Sequence, residues 1–497
     1  MTGGLVVEYH NLQELMKNLT YKDHAIMQGL GITGIQYDSR KVELGNLFVA
    51  IKGFQSDGHK YIQNAVANGA IAVIVEDEEY CSLDYPWILV EDSRVALAEI
   101  SAAFYHNPSE TLKLIGVTGT NGKTTTTNLI AQILESKGHK VGVIGTLGAR
   151  IGEKFIEGSR TTPEALELQQ LFAQMLAQGA EYVIMEVSSH ALDLHRVDKC
   201  HFDIAVFTNL TQDHLDYHHT MEEYCKAKTK LFTMMDKSKK KDVPKTAVIN
   251  IDDEWANRFL VSSGGAVATY GIDKEASWKA ENVEIRPDGV RYTVDGLEVD
   301  LPLCGKFNIY NSLAAMAAAN ALGVSIEDCI SALNQSHGVA GRFQRVRTDK
   351  DFIVIIDYAH TPDGLENVIT TAREIAKGHV ITVFGCGGDR DRTKRPIMGE
   401  ISAKLSDYCI VTSDNPRTED PEKIIADILP GVKKYMAPNR YKVLSDRREA
   451  IIVAVGMAQS GDIVLIAGKG HEDYQEINGV KHHFNDYEEA LKAIEVK

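Results

Sequence analysis

Leu112-Lys113-Leu114-Ile115-Gly116-Val117-Thr118-Gly119-Thr120-Asn121-Gly122-Lys123-Thr124-Thr125 sets the architecture of this chain. Up to Thr118 the stretch is an apolar run of strand length, and from about Thr124 to Lys137 the apolar residues recur at helical spacing. A glycine-rich turn between a strand and a helix is the context of a phosphate-binding loop. The glycines let backbone N–H groups close around phosphate oxygens, and the helix N-terminus adds a favourable dipole. Lys123 is placed to reach the β/γ phosphates, and the hydroxyl of Thr124 or Thr125 to ligate Mg²⁺. The strict GxxxxGK[ST] spacing asks for glycine at 117, where Val117 stands. The bland alternative is an ordinary Gly-rich turn, but strand, glycines, lysine, threonine and helix together favour a phosphate grip.

Outward from this loop the chain repeats an α/β rhythm. Val141–Gly145, Tyr182–Val187 and Ile204–Asn209 read as further buried strands separated by helical stretches, which implies a parallel sheet covered on both faces. Upstream, Gly45–Gly53 and Ala70–Glu76 read as strands flanking a helical Gly58–Ala67, a small α/β module that closes at a linker, His106-Asn107-Pro108-Ser109. Downstream, Ala280–Leu303 alternates like an antiparallel appendage, and Asn308–Leu322 is an alanine-rich helix. After Gly341-Arg342-Phe343 a third α/β rhythm begins, with strands at Phe352–Asp357, His379–Gly385, Tyr408–Thr412 and Asp462–Gly468. In open α/β sheets ligands collect at the carboxyl ends of strands.

The 497 residues exceed what one hydrophobic core holds, so two to four domains are expected. A composition of 44% hydrophobic and 25% charged residues is that of a soluble globular protein. No run of about 18 apolar residues could span a bilayer. Met1 to Gln13 has no basic n-region, apolar h-region or cleavage signature, so a cytoplasmic location away from any membrane is expected. Seven dispersed cysteines without a CxxC pair read as reduced core thiols rather than a disulfide framework or zinc site. A formal charge of −16 argues against nucleic acid as a partner, while leaving small anions open, since those need only local Lys, Arg and N–H groups.

Further chemistry gathers at strand ends. Glu186, in Met185-Glu186-Val187-Ser188-Ser189-His190, suits a Mg²⁺ ligand because hard cations prefer oxygen, although strand-end acids are often merely solvated. Asn209-Leu210-Thr211-Gln212-Asp213-His214-Leu215-Asp216 gathers more candidate ligands, any one of whose histidines is more often structural. Ser413-Asp414-Asn415-Pro416-Arg417 is a turn by composition. Functionally, Arg417 and Asp414 could hold the two ends of an amino-acid zwitterion, the guanidinium taking a carboxylate through its fork and the acid an ammonium.

Together the phosphate loop, Glu186-Val187-Ser188-Ser189-His190, Asn209–Asp216, Asp357-Tyr358-Ala359-His360-Thr361-Pro362 and Ala467-Gly468-Lys469-Gly470-His471-Glu472 resemble the Mur ligases of peptidoglycan synthesis, in the expected order from about Asp38 to Tyr474. The resemblance implies three α/β domains: residues 1–110 holding a UDP-sugar, 111–343 a central P-loop-type parallel-sheet ATPase domain, and 344–497 a Rossmann-like domain receiving an amino acid. It implies an ATP- and Mg²⁺-dependent, ADP-forming ligase, expected to be monomeric. The resemblance further implies that it adds meso-diaminopimelate to UDP-N-acetylmuramoyl-L-alanyl-D-glutamate through an acyl phosphate.

The resemblance also implies roles residue by residue. Gly119, Thr120, Asn121, Gly122, Lys123, Thr124 and Thr125 grip ATP, joined by Asn308, Arg342 and Asp357. Ser39, in Asp38-Ser39-Arg40, matches the uridine site. Thr161, Thr162, Ser188 and Arg196 match muramoyl-peptide contacts, whereas Arg160 stands where asparagine is expected. Lys228 aligns with the family's carbamylated lysine, whose carbamate would help Glu186 and His214 place a second Mg²⁺ beside the one at Thr124. Lys123, Lys228 and His214 are thus the catalytic candidates. Asp414, Asn415, Pro416 and Arg417 resemble the signature of members that add diaminopimelate rather than L-lysine, with Arg390, Gly468 and Glu472 completing the site. Diaminopimelate differs from lysine by a distal carboxylate, which calls for an arginine fork. Competing readings are the same ligase using L-lysine, a folylpolyglutamate synthetase, and a P-loop regulatory ATPase.

Overall fold

The structure is a computed structural model that describes residues 9–23, 29–53, 56–82, 85–152, 154–156, 158, 160–238, 241–286 and 288–497. The reading of the N-terminus from Met1 falls mostly outside the described residues. The chain forms two compact units, one of Met1–Gly116, His139–Ala205 and Lys230–Lys245, the other of Val117–Gly138, Val206–Thr229 and Thr246–Lys497.

In the first unit, the strands Gly34–Gln36, Asn46–Val49, Ala72–Val75 and Trp87–Val90 pair in parallel, and Tyr21–Asp23 adds an antiparallel edge. Apart from Asn46 the central strands are apolar, because both faces are covered. Leu47, Val49, Ile74 and Ile88 pack with Ala96, Leu97 and Ile100 of the helix Ser93–Phe104, while Phe48, Val73 and Val75 pack with Ile62 and Ala65 on the other face. The helix Ser93–Phe104 starts where Asp92 accepts the Arg94 and Val95 N–H groups, an N-cap that satisfies two orphan donors. The region read as a linker is a single turn of 3₁₀ helix, Pro108–Glu110, entered through left-handed Asn107.

Val141–Gly145 and Tyr182–Glu186 pair in parallel, as the apolar runs imply. The first of them also carries an antiparallel extension through Gly148–Ile151 and Lys154–Ile156. The central sheet is parallel in these strands, as expected, and gains an antiparallel extension at this edge. Three- and four-residue strands beside glycines carry too little periodicity to be read.

In the second unit, Thr246–Asn250 pairs in parallel with Ala266–Gly271, and Glu281–Arg286, Gly289–Val294 and Leu297–Leu301 form the antiparallel appendage. A six-stranded sheet follows in the order Gln344–Val346, Ile353–Asp357, Ile463–Ala467, Val380–Phe384, Tyr408–Val411, Tyr441–Val443, with only the first strand antiparallel. Helices Pro362–Ile375, Lys394–Leu405 and Pro421–Tyr435 cover one face, and Arg447–Met457 and Asp486–Val496 the other. This is the doubly wound arrangement. Its last parallel strand in sequence, Ile463–Ala467, lies between the first and second, so Asp357, Gly385 and Gly468 fall at one end of the sheet. Among the described residues no helix is long and apolar enough to cross a membrane.

Candidate functional site

The loop expected to hold phosphate lies between the strand Lys113–Thr118 and the helix Lys123–Ser136. Its two turning glycines are irreplaceable for different reasons. A Cβ on Gly119, at φ +150°, would stand 1.8 Å from Thr208 Oγ1, and one on Gly122, at φ +85°, 2.4 Å from Asn311 Oδ1. The loop is held from beneath by its neighbours. Thr120 N–H donates to Asn209 O at 2.8 Å, Asn121 N–H to Asn209 Oδ1 at 2.9 Å, and Thr208 Oγ1 to Asn121 O at 2.7 Å. Thr211 N–H donates to Thr120 Oγ1 at 3.0 Å. The Asn209-Leu210-Thr211 segment thus shapes the loop.

Lys123 Nζ donates to Gly119 O at 2.9 Å and Thr120 O at 2.7 Å, folded back over its own loop. Lys228 Nζ donates to the same Gly119 O at 2.8 Å and lies 4.5 Å from the centre of the Tyr224 ring. It is 1% exposed, and burial, reinforced by the like charge of Lys123, pushes its amine well below the ordinary lysine range. An amine driven toward its neutral form is a nucleophile. Lys228 is therefore unlike Lys226 and Lys230, which reach solvent and pair with Glu223 and Asp193.

Helix termini and strand ends complete this face of the second unit. Thr124 and Thr125 are both buried on the first turn of their helix, but it is Thr124 Oγ1 that accepts Arg342 Nη2, at 2.9 Å. The Arg342 guanidinium stacks 4.4 Å from the Tyr358 ring centre. Asp357 ends its strand and accepts the N–H groups of Phe343 and Ala359 at 2.6 and 2.7 Å. Burial nevertheless raises its carboxyl to about 6. Asn308 donates to Cys304 O and accepts from Asn311 Nδ2, so Asn311, a turn further along, is the residue that abuts Gly122. His214 takes a left-handed backbone at the start of the turn Leu215–His218, its Nε2 3.3 Å from Asp213. Asp363, absent from the sequence candidates, accepts Asn121 Nδ2.

The amino-acid candidates converge at the end of the C-terminal sheet. A Cβ on Gly387 would meet Arg417 Nη1 at 2.9 Å and Arg390 Cγ at 3.8 Å, so the two arginines flank one glycine. Arg417 Nη1 donates to Gly388 O at 2.8 Å, and its Nε lies 3.4 Å from Glu476. Partial desolvation and the like charge of Arg417 push the Arg390 guanidinium below its ordinary value. Two cations held this close favour a shared anion.

Opposite charge sits alongside them. Asp414 is 6% exposed, and its Oδ1 has no hydrogen-bond partner among the described residues. Asn415 Nδ2 donates to Glu472 Oε2 at 2.8 Å. Gly468, at φ +121°, gives Asp414 room, since a Cβ there would stand 2.7 Å from Asp414 Oδ2. Pro416 is buried in the turn, its carbonyl packed on Gly388 so closely that a Cβ would sit 1.9 Å away.

In the first unit, Ser39 is buried and its carbonyl accepts Asn68 Nδ2. Thr162 Oγ1 donates to Glu186 O at 2.9 Å and accepts Ser188 N–H at 3.1 Å, joining the Thr161-Thr162 segment to the end of Tyr182–Glu186. Thr161 Oγ1 is 3.1 Å from Thr146 Oγ1. Arg196 donates to Thr162 O and pairs with Glu164, which also pairs with Arg160 and Arg94. Arg160 is thus accommodated by an ion pair with Glu164, the N-cap of the helix Ala165–Ala177.

Glu186 is 1% exposed and accepts the Thr146 N–H and hydroxyl at 2.9 and 3.0 Å. A buried carboxylate whose hydrogen bonds among the described residues come from one neutral residue fits a cation. Among the described residues no group of three or more His, Cys, Asp or Glu side chains gathers as a metal cage.

The chain matches the Mur ligase family, catalytic domain, over residues 31–105, the Mur ligase middle domain over 117–319, and the Mur ligase, glutamate ligase domain over 341–470. It is 47% identical over 490 residues to a UDP-N-acetylmuramoyl-L-alanyl-D-glutamate--2,6-diaminopimelate ligase of Syntrophomonas wolfei subsp. wolfei, covering 98% of this chain and 99% of the relative. The Bacillus cereus protein of the same name is 47% identical over 467 residues, covering 93% and 94%. A solved structure of a ligase with that name superposes with a TM-score of 0.69 at 36% identity, covering 98% and 99%. This chain belongs to the Mur ligase family. The relatives that match it over nearly their whole length carry the name of the diaminopimelate-adding member.

Proposed function

We propose that this chain is the ATP-dependent ligase that joins meso-diaminopimelate to UDP-N-acetylmuramoyl-L-alanyl-D-glutamate, in the cytoplasm and as a monomer, within peptidoglycan precursor synthesis. The observation that carries the choice of amino acid is the pairing of Arg390 and Arg417 about Gly387, beside an Asp414 oxygen with no hydrogen bond among the described residues. L-Lysine offers the ammonium but not the distal carboxylate, leaving the arginine pair without its anion.

The residues assort by step. Gly119 to Thr125, with Asn308, Arg342 and Asp357, hold ATP. Ser39, Thr161, Thr162, Ser188 and Arg196 hold the UDP-dipeptide, in the domain division 1–110, 111–343 and 344–497. The D-glutamyl γ-carboxylate oxygen attacks the γ-phosphorus, and ADP leaves with the electron pair of the broken P–O bond. Lys123 exchanges its loop carbonyls for the charge that develops on the transferred oxygens. The amine of diaminopimelate then attacks the acyl phosphate, inorganic phosphate departs, and the amide nitrogen gives up its proton. Bound Mg²⁺, held by Thr124, Glu186, His214 and a carbamylated Lys228, would supply electrostatic stabilisation of the phosphates.

Measuring ADP release with each substrate omitted, across a panel of amino acids, tests this. ADP release should require the UDP-dipeptide and diaminopimelate together. Vigorous ATP hydrolysis without either substrate would defeat the ligase reading, and preference for L-lysine would defeat the choice of amino acid.

A further inference from the structure

Lys469 is fully buried, at 0% exposure, on the turn that follows the strand Ile463–Ala467. Its Nζ lies 3.0 Å from Glu472 Oε2, 3.1 Å from Asn415 Oδ1 and 3.8 Å from Asp414 Oδ1. A buried ammonium reaching three residues of one pocket is costly unless every contact is used. The backbone beside it is fixed from behind. Arg447, equally buried, donates to Ala467 O at 3.0 Å while paired with Asp486 at 2.7 Å.

The contacts have two consequences. Asn415 Oδ1 accepts both Lys469 Nζ and Glu476 N–H, at 3.1 and 2.9 Å, so its NH₂ group is forced to face Glu472. Second, one lysine between two carboxylates leaves a local charge of −1 rather than −2. That charge is what a single ammonium neutralises, and Asp414 Oδ1, 3.8 Å from Lys469 Nζ but without a hydrogen bond among the described residues, is an acceptor ready for it.

We propose that Lys469 is a positioning residue for the amino-acid substrate. It sets the charge of the ammonium subsite formed by Asp414 and Glu472 and locks the Asn415 amide. This inference rests on the ligase reading above and adds a residue that acts on one substrate alone. Steady-state kinetics of the full chain with ATP, UDP-dipeptide and diaminopimelate test it in Lys469→Met, Glu472→Gln and the double variant. Lys469→Met should raise the KM for diaminopimelate about tenfold or more, because Asp414 and Glu472 lose their shared partner. The KM values for ATP and the UDP-dipeptide should stay within about twofold of the parent.

In the Glu472→Gln background the charge is already reduced, so removing Lys469 should change the diaminopimelate KM by less than about threefold. This comparison also serves if Lys469→Met alone folds poorly, since the double variant restores the charge balance. Equal increases in all three KM values, or an undiminished penalty in the Glu472→Gln background, would mean that Lys469 only packs the turn and would overturn the proposal. A parent protein that turns over briskly with L-lysine but not diaminopimelate would instead strike the choice of substrate. In that case the same comparison, run with L-lysine, decides the role of Lys469.

Discussion

Lys123 spends the resting state bonded to two carbonyls of its own loop, 2.7 and 2.9 Å away. On the proposed function those bonds are exchanged for phosphate oxygens when ATP binds, so that the residue stabilises charge without a large search for its position. Lys123→Ala should lower kcat by roughly 10²–10³-fold, the range for losing one preorganised donor to developing charge. Single-turnover measurement of acyl-phosphate-dependent ADP formation checks it. Arg417→Ala removes a fork that also holds Gly388. By analogy with truncated charge pairs it should cost about 2–5 kcal/mol in kcat/KM for diaminopimelate. Arg417→Lys should not restore it, because a point charge lacks the bidentate geometry. Kinetics with both amino acids read this, and unchanged turnover would remove Arg417 from the site.

At the scale of elements, the turns place chemistry by excluding side chains. Gly119→Ala puts a methyl group into Thr208, and no rotamer change relieves the backbone of Asn209 at 3.0 Å. The variant should lose ATP binding by calorimetry while keeping its far-UV circular dichroism, since the clash lies at a loop and not in the sheet. The helix Lys394–Leu405 is tied to its neighbours through Arg395, which is fully buried and bonded to Glu419 and Asp427. Its hydrogen bonds hold the Glu419 carboxyl down at about 2, against an ordinary value near 4.5. Because the folded value is depressed, this contribution to stability is complete above about pH 4.5 and is lost as pH falls through about 2. Arg395→Met should destabilise the fold by about 3–5 kcal/mol near neutral pH. It should also flatten the acid limb of stability against pH, as followed by denaturant unfolding.

For the whole molecule, a net charge of −16 coexists with local cation clusters at Lys123, Arg390–Arg417 and Arg160–Arg196. On the proposed function, the negative surround disfavours polyanions while the clusters accept small anions. Saturating ATP at about 100 times its dissociation constant should stabilise the folded protein by about 2.7 kcal/mol. Adding the UDP-dipeptide should raise the unfolding temperature further. A P-loop regulatory ATPase would respond to ATP alone, so a thermal-shift panel separates the two.

The identity of the elements was already determined by local sequence. Apolar runs such as Ile353–Asp357 and Ile463–Ala467 end at glycines or acids, and an apolar run covered on both faces has few other ways to fold. The phosphate loop was legible for the same reason, as its glycines, Lys123 and helix are contiguous. Three-residue strands such as Tyr441–Val443 were not legible, because so short a segment has no measurable period. Partners that depend on distance in space were decided only by tertiary structure. Nothing local distinguishes Lys228 from Lys226, yet packing buries one against Gly119 and leaves the other in water. Lys469, Arg447 and Asp363 read as ordinary charged residues until the sheet brings their partners within 3 Å or so. Burial and charge neutralisation are properties of the surroundings, and those surroundings exist only once the chain is folded.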